Sequence, residues 1–178
     1  MVKKDRLSSI HVELFWFVFY TKPNSERKIQ EELAAKHIEA YLPVTKTLRV
    51  WKNRQKKWIH QVLFPNYIFV KASHSQLYLI KQTHNVIKNL TCSGKPSIIT
   101  SGEIERIKEI LNTGKDIDVE TNLIKGKRVK ILTGPFMGYD GVLIEQKGKT
   151  RFGIQIEAIN HTILVDIEIT PQSFCSYD

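Results

Sequence analysis

Gly148-Lys149-Thr150 has the form of the end of a phosphate-binding loop, and it is the first place in this sequence to look for catalysis. The complete loop needs another glycine five residues earlier, but position 143 is Leu. The tripeptide also lies between two short apolar stretches rich in β-branched residues. A hairpin turn therefore explains it better than a nucleotide site.

Other arrangements that could support catalysis are missing as well. The six histidines never pair at metal-ligand spacing, and Cys92 and Cys175 lie far apart without a nearby His of matching motif. Glu105 and Glu109 are one turn apart in a predicted helix, where they are typical of a solvated face. We expect no enzyme activity, no metal and no cofactor. The cysteine usage favours a reducing, cytoplasmic setting, and no apolar run is long enough to span a membrane.

Charge is distributed unevenly along the chain. The net charge is +9, yet residues 40–102, 63 residues in all, contain ten basic side chains and no acidic one. Without carboxylates to neutralise them, these cations present their potential to a polyanion. Nucleic acid is the leading interpretation, and an acidic protein surface or a merely solvated face are the alternatives.

Two tryptophans lie inside this acid-free stretch. Trp51 and Trp58 are surrounded by lysines and arginines between Thr45 and Gln61, a segment whose loose alternation predicts an exposed β-hairpin. Such aromatics can stack on bases while the cations contact phosphate. Equally, either tryptophan could pack on the sheet, and the hairpin could simply be solvated.

The elements that would position these residues fall into two groups. Residues 14–111 predict an α+β domain in which three helices pack on an antiparallel sheet. Residues 112–124 lack periodicity and are assigned to a linker. Residues 125–174 contain short, alternating, β-branched stretches, which predict a small five-stranded β-barrel.

The segment from Phe64 to Val70 is apolar and aromatic. Because alternate residues of a strand point to opposite faces, Tyr67 and Phe69 are expected on one face and Ile68 and Val70 on the other. A three-layer domain would bury both faces, whereas helices on only one face of the sheet would leave the aromatic face for a partner.

These segments resemble the NusG family of transcription elongation factors. The first domain matches in residues 16–22, 41–43 and 63–70, and the second is similar to the KOW module, an SH3-like barrel, in residues 125–131 with the glycines that follow. Leu63 to Val70 is similar in particular to the specialised paralogues of the RfaH and UpxY types. Asn66 occupies a position where general NusG proteins usually have Gly.

The resemblance implies a monomeric factor that binds the clamp helices of RNA polymerase and the exposed non-template DNA strand, suppressing pausing and termination in specific operons. It assigns polymerase binding to aromatic residues (Tyr20, Phe64, Tyr67 and Phe69). It assigns DNA binding to polar residues (Lys22, Lys28, Lys81, Gln82, Thr83 and His84). Two further readings stay open: a housekeeping factor that couples polymerase to Rho or the ribosome through the KOW domain, and a ribosome-associated RNA-binding protein.

One departure from the family concerns the opposite pincer of the polymerase. The His-Thr-Thr loop with which RfaH-type proteins meet that pincer is replaced here by Gln76-Leu77-Tyr78. The sequence also leaves open whether the barrel docks on the first domain or refolds as a helical hairpin. Its β-branched alternation favours an ordinary barrel.

Overall fold

The structure, a computed structural model, describes residues 12–51, 54–115, 117–146, 148–167, 170 and 172–177. The helices are α1 (Glu26–Ala35), α2 (Leu77–Lys81) and α3 (Ser101–Asn112), with short 3₁₀ helices at His74–Gln76 and Glu157–Ile159. The strands of the first part are β1 (Phe15–Thr21), β2 (Glu39–Tyr41), β3 (Val44–Val50), β4 (Lys56–Val62), β5 (Tyr67–Ala72), β6 (Val86–Asn89), β7 (Thr91–Cys92), β8 (Lys95–Pro96) and β9 (Ile98–Ile99). The strands of the second part are β10 (Ile117–Glu120), β11 (Lys127–Ile131), β12 (Asp140–Gln146), β13 (Lys149–Ile156), β14 (His161–Asp166) and β15 (Phe174–Ser176). No helix in the described part of the chain is long and apolar enough to cross a membrane.

The first sheet is antiparallel and has β1 at its centre. Its strand order is β2-β5-β1-β6, and β9 pairs with β1 as well. β1 can occupy the centre because its residues are apolar on both faces, and Phe17, Val18 and Phe19 are all fully buried. Tyr67 pairs with Tyr20 and Phe69 with Val18. Directly paired residues share a face, so the expected aromatic face of β5 is confirmed.

The two faces of this sheet pack against different partners. Phe17, Phe19 and Ile68 form a core with Ile29 and Leu33 of α1 and with apolar residues of α2. The opposite face carries Trp16, Val18 and Phe69, which belong to a second core with α3 and with the barrel. Helices α1 and α2 therefore pack on one face of the sheet, and α3 packs on the other, aromatic face. The barrel covers the part of the aromatic face that α3 does not cover.

Helix α3 begins with a capping box. The Thr100 hydroxyl accepts the Glu103 backbone N–H at 3.1 Å, and the Glu103 carboxylate accepts the Thr100 backbone N–H at 2.8 Å. Two of the orphan amides at the helix start are thereby satisfied. Ile104, Ile107 and Ile110 lie on the buried side.

The barrel sheet has six strands, in the order β10-β14-β13-β12-β11-β15, and not the five expected. The additional strand, β10, lies inside 112–124, the segment assigned to the linker. It pairs antiparallel with β14, from Ile117 opposite Val165 to Glu120 opposite Thr162. The sequence of this segment did not predict a strand, because a four-residue strand at the edge of a sheet is stabilised mainly by pairing with a strand that is distant in the sequence.

A buried arginine links β10 to the rest of the barrel. The Arg151 Nη1 donates to Asp118 of β10 at 2.7 Å, and its Nε donates to Asp166 of β14 at 2.6 Å. Burial of the guanidinium opposes its charge, but the hydrogen bonds and negative charges of both aspartates outweigh that effect and raise the pKa of Arg151. The strand from the linker segment is thus an integral part of the barrel.

A side chain at Gly141 would collide with the neighbouring strand β13, so valine there is expected to destabilise the barrel. A Cβ at Gly141 would lie 2.4 Å from the Gly153 carbonyl oxygen and 2.6 Å from the Phe152 ring. The backbone oxygen cannot move aside cheaply, so Gly141→Val should cost about 3 kcal/mol or more. Urea unfolding followed by circular dichroism measures this cost.

Gly102 provides the matched control for that substitution. It lies in the first turn of α3, and a Cβ there would meet nothing closer than the Thr100 hydroxyl at 3.9 Å. Gly102→Ala should stabilise the chain by about 0.5 kcal/mol, because alanine loses less backbone entropy in a helix. Equal unfolding free energies for the two variants would contradict the packing argument.

Candidate functional site

The turn from Phe64 to Tyr67 leads into β5 and places Tyr67 beside Tyr20, at the end of β1. The Tyr67 N–H donates to the Phe64 carbonyl at 3.2 Å, and Asn66 has φ of +68°. Proline at the second position and a left-handed third residue are the signature of a type II turn, which accepts Gly or Asn there. The buried Glu26 carboxylate also accepts the Asn66 N–H at 2.8 Å, and so ties the turn to the start of α1.

Aromatic rings from this turn and the neighbouring strands form two contact groups on one face of the sheet, and we call these five rings (Tyr20, Tyr41, Phe64, Tyr67 and Phe69) the aromatic row. Tyr20 and Tyr67 lie edge to face with their centroids 5.4 Å apart. Phe64 is 6.0 Å from Phe69, which is 6.4 Å from Tyr41. The structure therefore brings together all four aromatic residues predicted to bind polymerase, and adds Tyr41 from β2.

The barrel lies on this aromatic row. The His161 imidazole, at the start of β14, is 5.8 Å from the Phe64 ring and 5.4 Å from the Tyr67 ring. Its Nδ1 lies 2.5 Å from the Ile159 carbonyl oxygen, which fixes the ring against the turn before β14. Phe64 and Phe69 are fully buried, whereas Tyr20 and Tyr67 remain half-buried. In this docked arrangement the side chains of the two phenylalanines are not available to a partner.

A second group of contacts joins the barrel to helix α3. The Tyr139 hydroxyl donates to the Glu109 carboxylate, and the Arg106 guanidinium lies 5.4 Å from the Tyr139 ring centroid. We call Arg106, Glu109 and Tyr139 the latch. Glu109 is therefore a docking residue as well as part of a solvated face. The sequence offered no signal for this contact, because Tyr139 lies 30 residues away in the other domain.

Burial of the aromatic face also changes the acidity of its tyrosines. Burial, assisted by the negative charge of Glu105, raises the pKa of Tyr41 to about 12. Burial and the neighbouring Tyr20 raise the pKa of Tyr67. Both phenols stay protonated at neutral pH, so they act as hydrogen-bonding aromatic surfaces and not as charges.

Five of the six predicted DNA-binding residues lie around the ends of β1 and α2, and Lys28 lies in α1. The Lys22 N–H donates to the Asn85 carbonyl at 2.9 Å, which places the residue after β1 beside the residue that follows His84. The exposed members of the predicted set are Lys22, Lys28, Lys81, Gln82 and His84. The structure thus leaves five of the six predicted side chains accessible.

Thr83 is the exception among the predicted DNA contacts. Its side chain is only 3% exposed, and its hydroxyl accepts from the Lys36 Nζ at 3.3 Å. Direct contact between the Thr83 side chain and DNA does not fit this geometry. Lys36 is an exposed cation that the sequence argument missed, because no local pattern relates the end of α1 to a residue 47 positions later.

Comparison with known proteins agrees with this architecture. A family model described as transcription termination factor nusG matches residues 14–108, which is more than half of the 178 residues. The chain belongs to the NusG family. The proteins of this family are transcription factors and not enzymes, so the expected absence of catalysis is confirmed.

Curated NusG-family relatives extend the similarity into the second domain. The transcription termination/antitermination protein NusG of Streptococcus pyogenes serotype M3 (strain ATCC BAA-595 / MGAS315) is 32% identical over 145 residues, covering 73% of this chain and 79% of the relative. NusG of Lactococcus lactis subsp. lactis (strain IL1403) is 29% identical over 148 residues, covering 75% and 78%. The family prediction made from the motifs is therefore confirmed.

A solved structure supports the fold of this NusG-family chain. "Domain interaction in Thermotoga maritima NusG" superposes with a TM-score of 0.52 at 21% identity, covering 86% of this chain and 93% of that one. The predicted α+β domain followed by a small barrel is confirmed. The domain boundaries and the closeness to RfaH or UpxY types stay predictions.

Proposed function

We propose that this protein is a transcription elongation and antitermination factor of specific operons, which suppresses pausing and termination. It binds the clamp helices of RNA polymerase through the aromatic row that contains Tyr20 and Tyr67. It binds the exposed non-template DNA strand through the basic surface around Lys22 and Lys81. It works as a monomer in the cytoplasm, where both partners are found.

The observation that carries this proposal is that the two surfaces meet at the end of β1. Tyr20 is half-buried in the aromatic row, and Lys22, two residues later, is exposed beside the turn after α2. A protein helix on the first surface and a nucleic acid strand on the second could thus be bound at once. Tyrosine is enriched among residues that dominate protein interfaces, and lysine contacts phosphate.

In its docked position the barrel covers part of the surface that is proposed to bind polymerase. Because His161 packs on Phe64 and Tyr67, a polymerase helix can reach the whole aromatic row only after the barrel leaves. The hinge for such a movement lies before β10, since Arg151 holds that strand in the barrel. The barrel would then be free for a partner of its own.

Charge reversal on the basic surface tests the DNA part of the proposal. Lys22→Glu/Lys81→Glu should weaken crosslinking to the non-template strand and reduce the salt dependence of binding, since each lost phosphate contact lowers the slope by about 0.7 to 0.9. In an elongation assay with purified polymerase, the variant should restore pausing.

A matched control for charge is Lys125→Glu/Lys130→Glu, which changes two exposed lysines of the barrel by the same amount. This control should retain the salt slope of the wild type. An unchanged slope for the Lys22 and Lys81 variant would argue against phosphate contacts at those positions.

A second candidate is the general factor that couples polymerase to Rho or the ribosome through the barrel. The similarity to relatives named transcription termination/antitermination protein NusG favours it. Pull-down of polymerase with this protein, followed by sequencing of the nascent transcripts, separates the candidates. Transcripts from a few operons support the specialised factor, whereas transcripts from most genes support the general one.

A further inference from the structure

The connection between α3 and the barrel is much shorter in the folded chain than the thirteen residues 112–124 that were assigned to a linker. Helix α3 continues to Asn112, and β10 begins at Ile117. Four residues, 113–116, therefore join the helix to the barrel sheet, and Asp116 lies outside the described residues. The length of this connection limits where the barrel can go when it leaves the aromatic row.

The part of the segment that follows these four residues is bonded to the barrel at several points. Asp118 of β10 accepts from the Arg151 Nη1 of β13 at 2.7 Å. Beyond the strand, the Asn122 carbonyl accepts from the Thr162 hydroxyl of β14 at 2.8 Å, and the Ile124 N–H donates to that hydroxyl oxygen at 3.2 Å. Because these bonds follow one another along the segment, it should move together with the barrel as one body.

Gly114 lies between a residue bonded to the helix and a residue bonded to the barrel. The Thr113 N–H donates to the Ile110 carbonyl of α3 at 3.2 Å, whereas the Lys115 Nζ donates to the Asp166 carbonyl at 3.4 Å. Gly114 has φ of +65°, the left-handed conformation that commonly ends helices. Since glycine has access to a wide range of dihedral angles, a change there can reorient the barrel while both sets of bonds persist.

We propose that the barrel and β10 move as one body on a hinge at Gly114, and that the bond between Asp118 and Arg151 keeps this hinge short. With β10 in place, Ile117 stays within about 18 Å of Asn112, because each of the five intervening peptide units spans at most about 3.6 Å. A released barrel therefore remains close to the face that it covers, which favours its return. This hinge does not depend on whether the aromatic row binds polymerase.

Loss of the bond to Arg151 would lengthen the connection. If β10 left the sheet, the first anchor on the barrel would be Asn122, and nine residues, 113–121, would join the two domains. The limit on their separation would then be about 36 Å. The effective concentration of a tethered domain falls roughly as the −3/2 power of tether length, so the longer connection should lower it about threefold.

Two variants of the full chain lengthen the connection in different ways. Insertion of Gly-Ser-Gly-Ser-Gly after Gly114 gives a connection of nine residues and changes no side chain of the barrel. Asp118→Lys places a cation beside the guanidinium of Arg151 and should detach β10. Glu145→Lys makes the same change of charge at an exposed position of β12 and serves as the control.

Both lengthened variants should lower the ratio of docked to released barrel about threefold, and the control should not change it. The amide chemical shifts of Phe64 and Tyr67, whose rings contact His161 only in the docked form, report this ratio. All the proteins also carry alanine at both α3 residues of the latch, so that the released form is populated. In hydrogen exchange followed by mass spectrometry, peptides that cover β10 should stay protected in the insertion variant and exchange at least tenfold faster in Asp118→Lys.

Three results would overturn the proposal. Rapid exchange of β10 in the wild-type chain would mean that the whole segment is a flexible linker. Continued protection of β10 in Asp118→Lys would mean that the bond to Arg151 does not hold the strand. An unchanged docking ratio in the insertion variant would mean that the short connection does not favour docking, and this result stands even if Asp118→Lys fails to fold.

Discussion

Replacing Tyr67 with alanine should lower the affinity for isolated clamp helices by about 30-fold, which corresponds to about 2 kcal/mol for the loss of a central interface tyrosine. The reason lies in the position of Tyr67, which is half-buried in the aromatic row and contacts the rings of both Tyr20 and His161. Titration calorimetry with the clamp-helix fragment measures the loss.

The control for that experiment is Tyr78→Ala. Tyr78 is an exposed tyrosine of α2, outside the aromatic row, so its removal should leave clamp-helix affinity unchanged. Urea unfolding of both variants establishes that the sheet remains folded. Clamp binding that survives in Tyr67→Ala would remove the polymerase assignment from this face.

The second large effect is expected from opening the latch. Arg106→Ala/Glu109→Ala removes the hydrogen bond from the Tyr139 hydroxyl and the cation–π contact on its ring, without touching the barrel or the sheet. Together these contacts contribute about 1 to 2 kcal/mol, so the ratio of released to docked barrel should rise about 5- to 30-fold. Clamp-helix affinity of the full chain should rise accordingly.

Two exposed charges of the barrel provide the comparison for the latch variant. Lys125→Ala/Glu145→Ala removes two charges of opposite sign, as the latch variant does, at positions outside the latch and the aromatic row. Small-angle scattering should show expansion in the latch variant only. Equal clamp-helix affinity in the two double variants would mean that the docked barrel does not limit polymerase binding.

Local and periodic features of the first domain could be predicted from the sequence. The capping box of Thr100 and Glu103, and the alternation that places Tyr67 and Phe69 on one face, depend on residues within a few positions of each other. The same holds for the turn at Asn66, whose left-handed backbone suits the residue found there. The motifs that indicate the family are likewise short sequence segments in a fixed order, and the family assignment was based on them.

Features that join distant segments could not be read in this way. The edge strand β10 depends on pairing with β14 and on the bond between Arg151 and Asp118, which are 33 residues apart. The hydroxyl of the buried Thr83 accepts from Lys36, which lies 47 positions earlier at the end of another helix. Composition shows what each residue can do, but not which distant residue will cover it.

The sequence by itself therefore determined the family, the two kinds of domain and the acid-free character of residues 40–102, because each is a property of residue type and order. Only the tertiary structure decided that the barrel lies on the aromatic row. That contact joins His161 to Phe64 and Tyr67, about a hundred residues earlier in the chain. Each of the two surfaces could equally well be exposed to solvent in a separate domain. Docking of this kind depends on the shapes of two finished domains, and no local pattern encodes it.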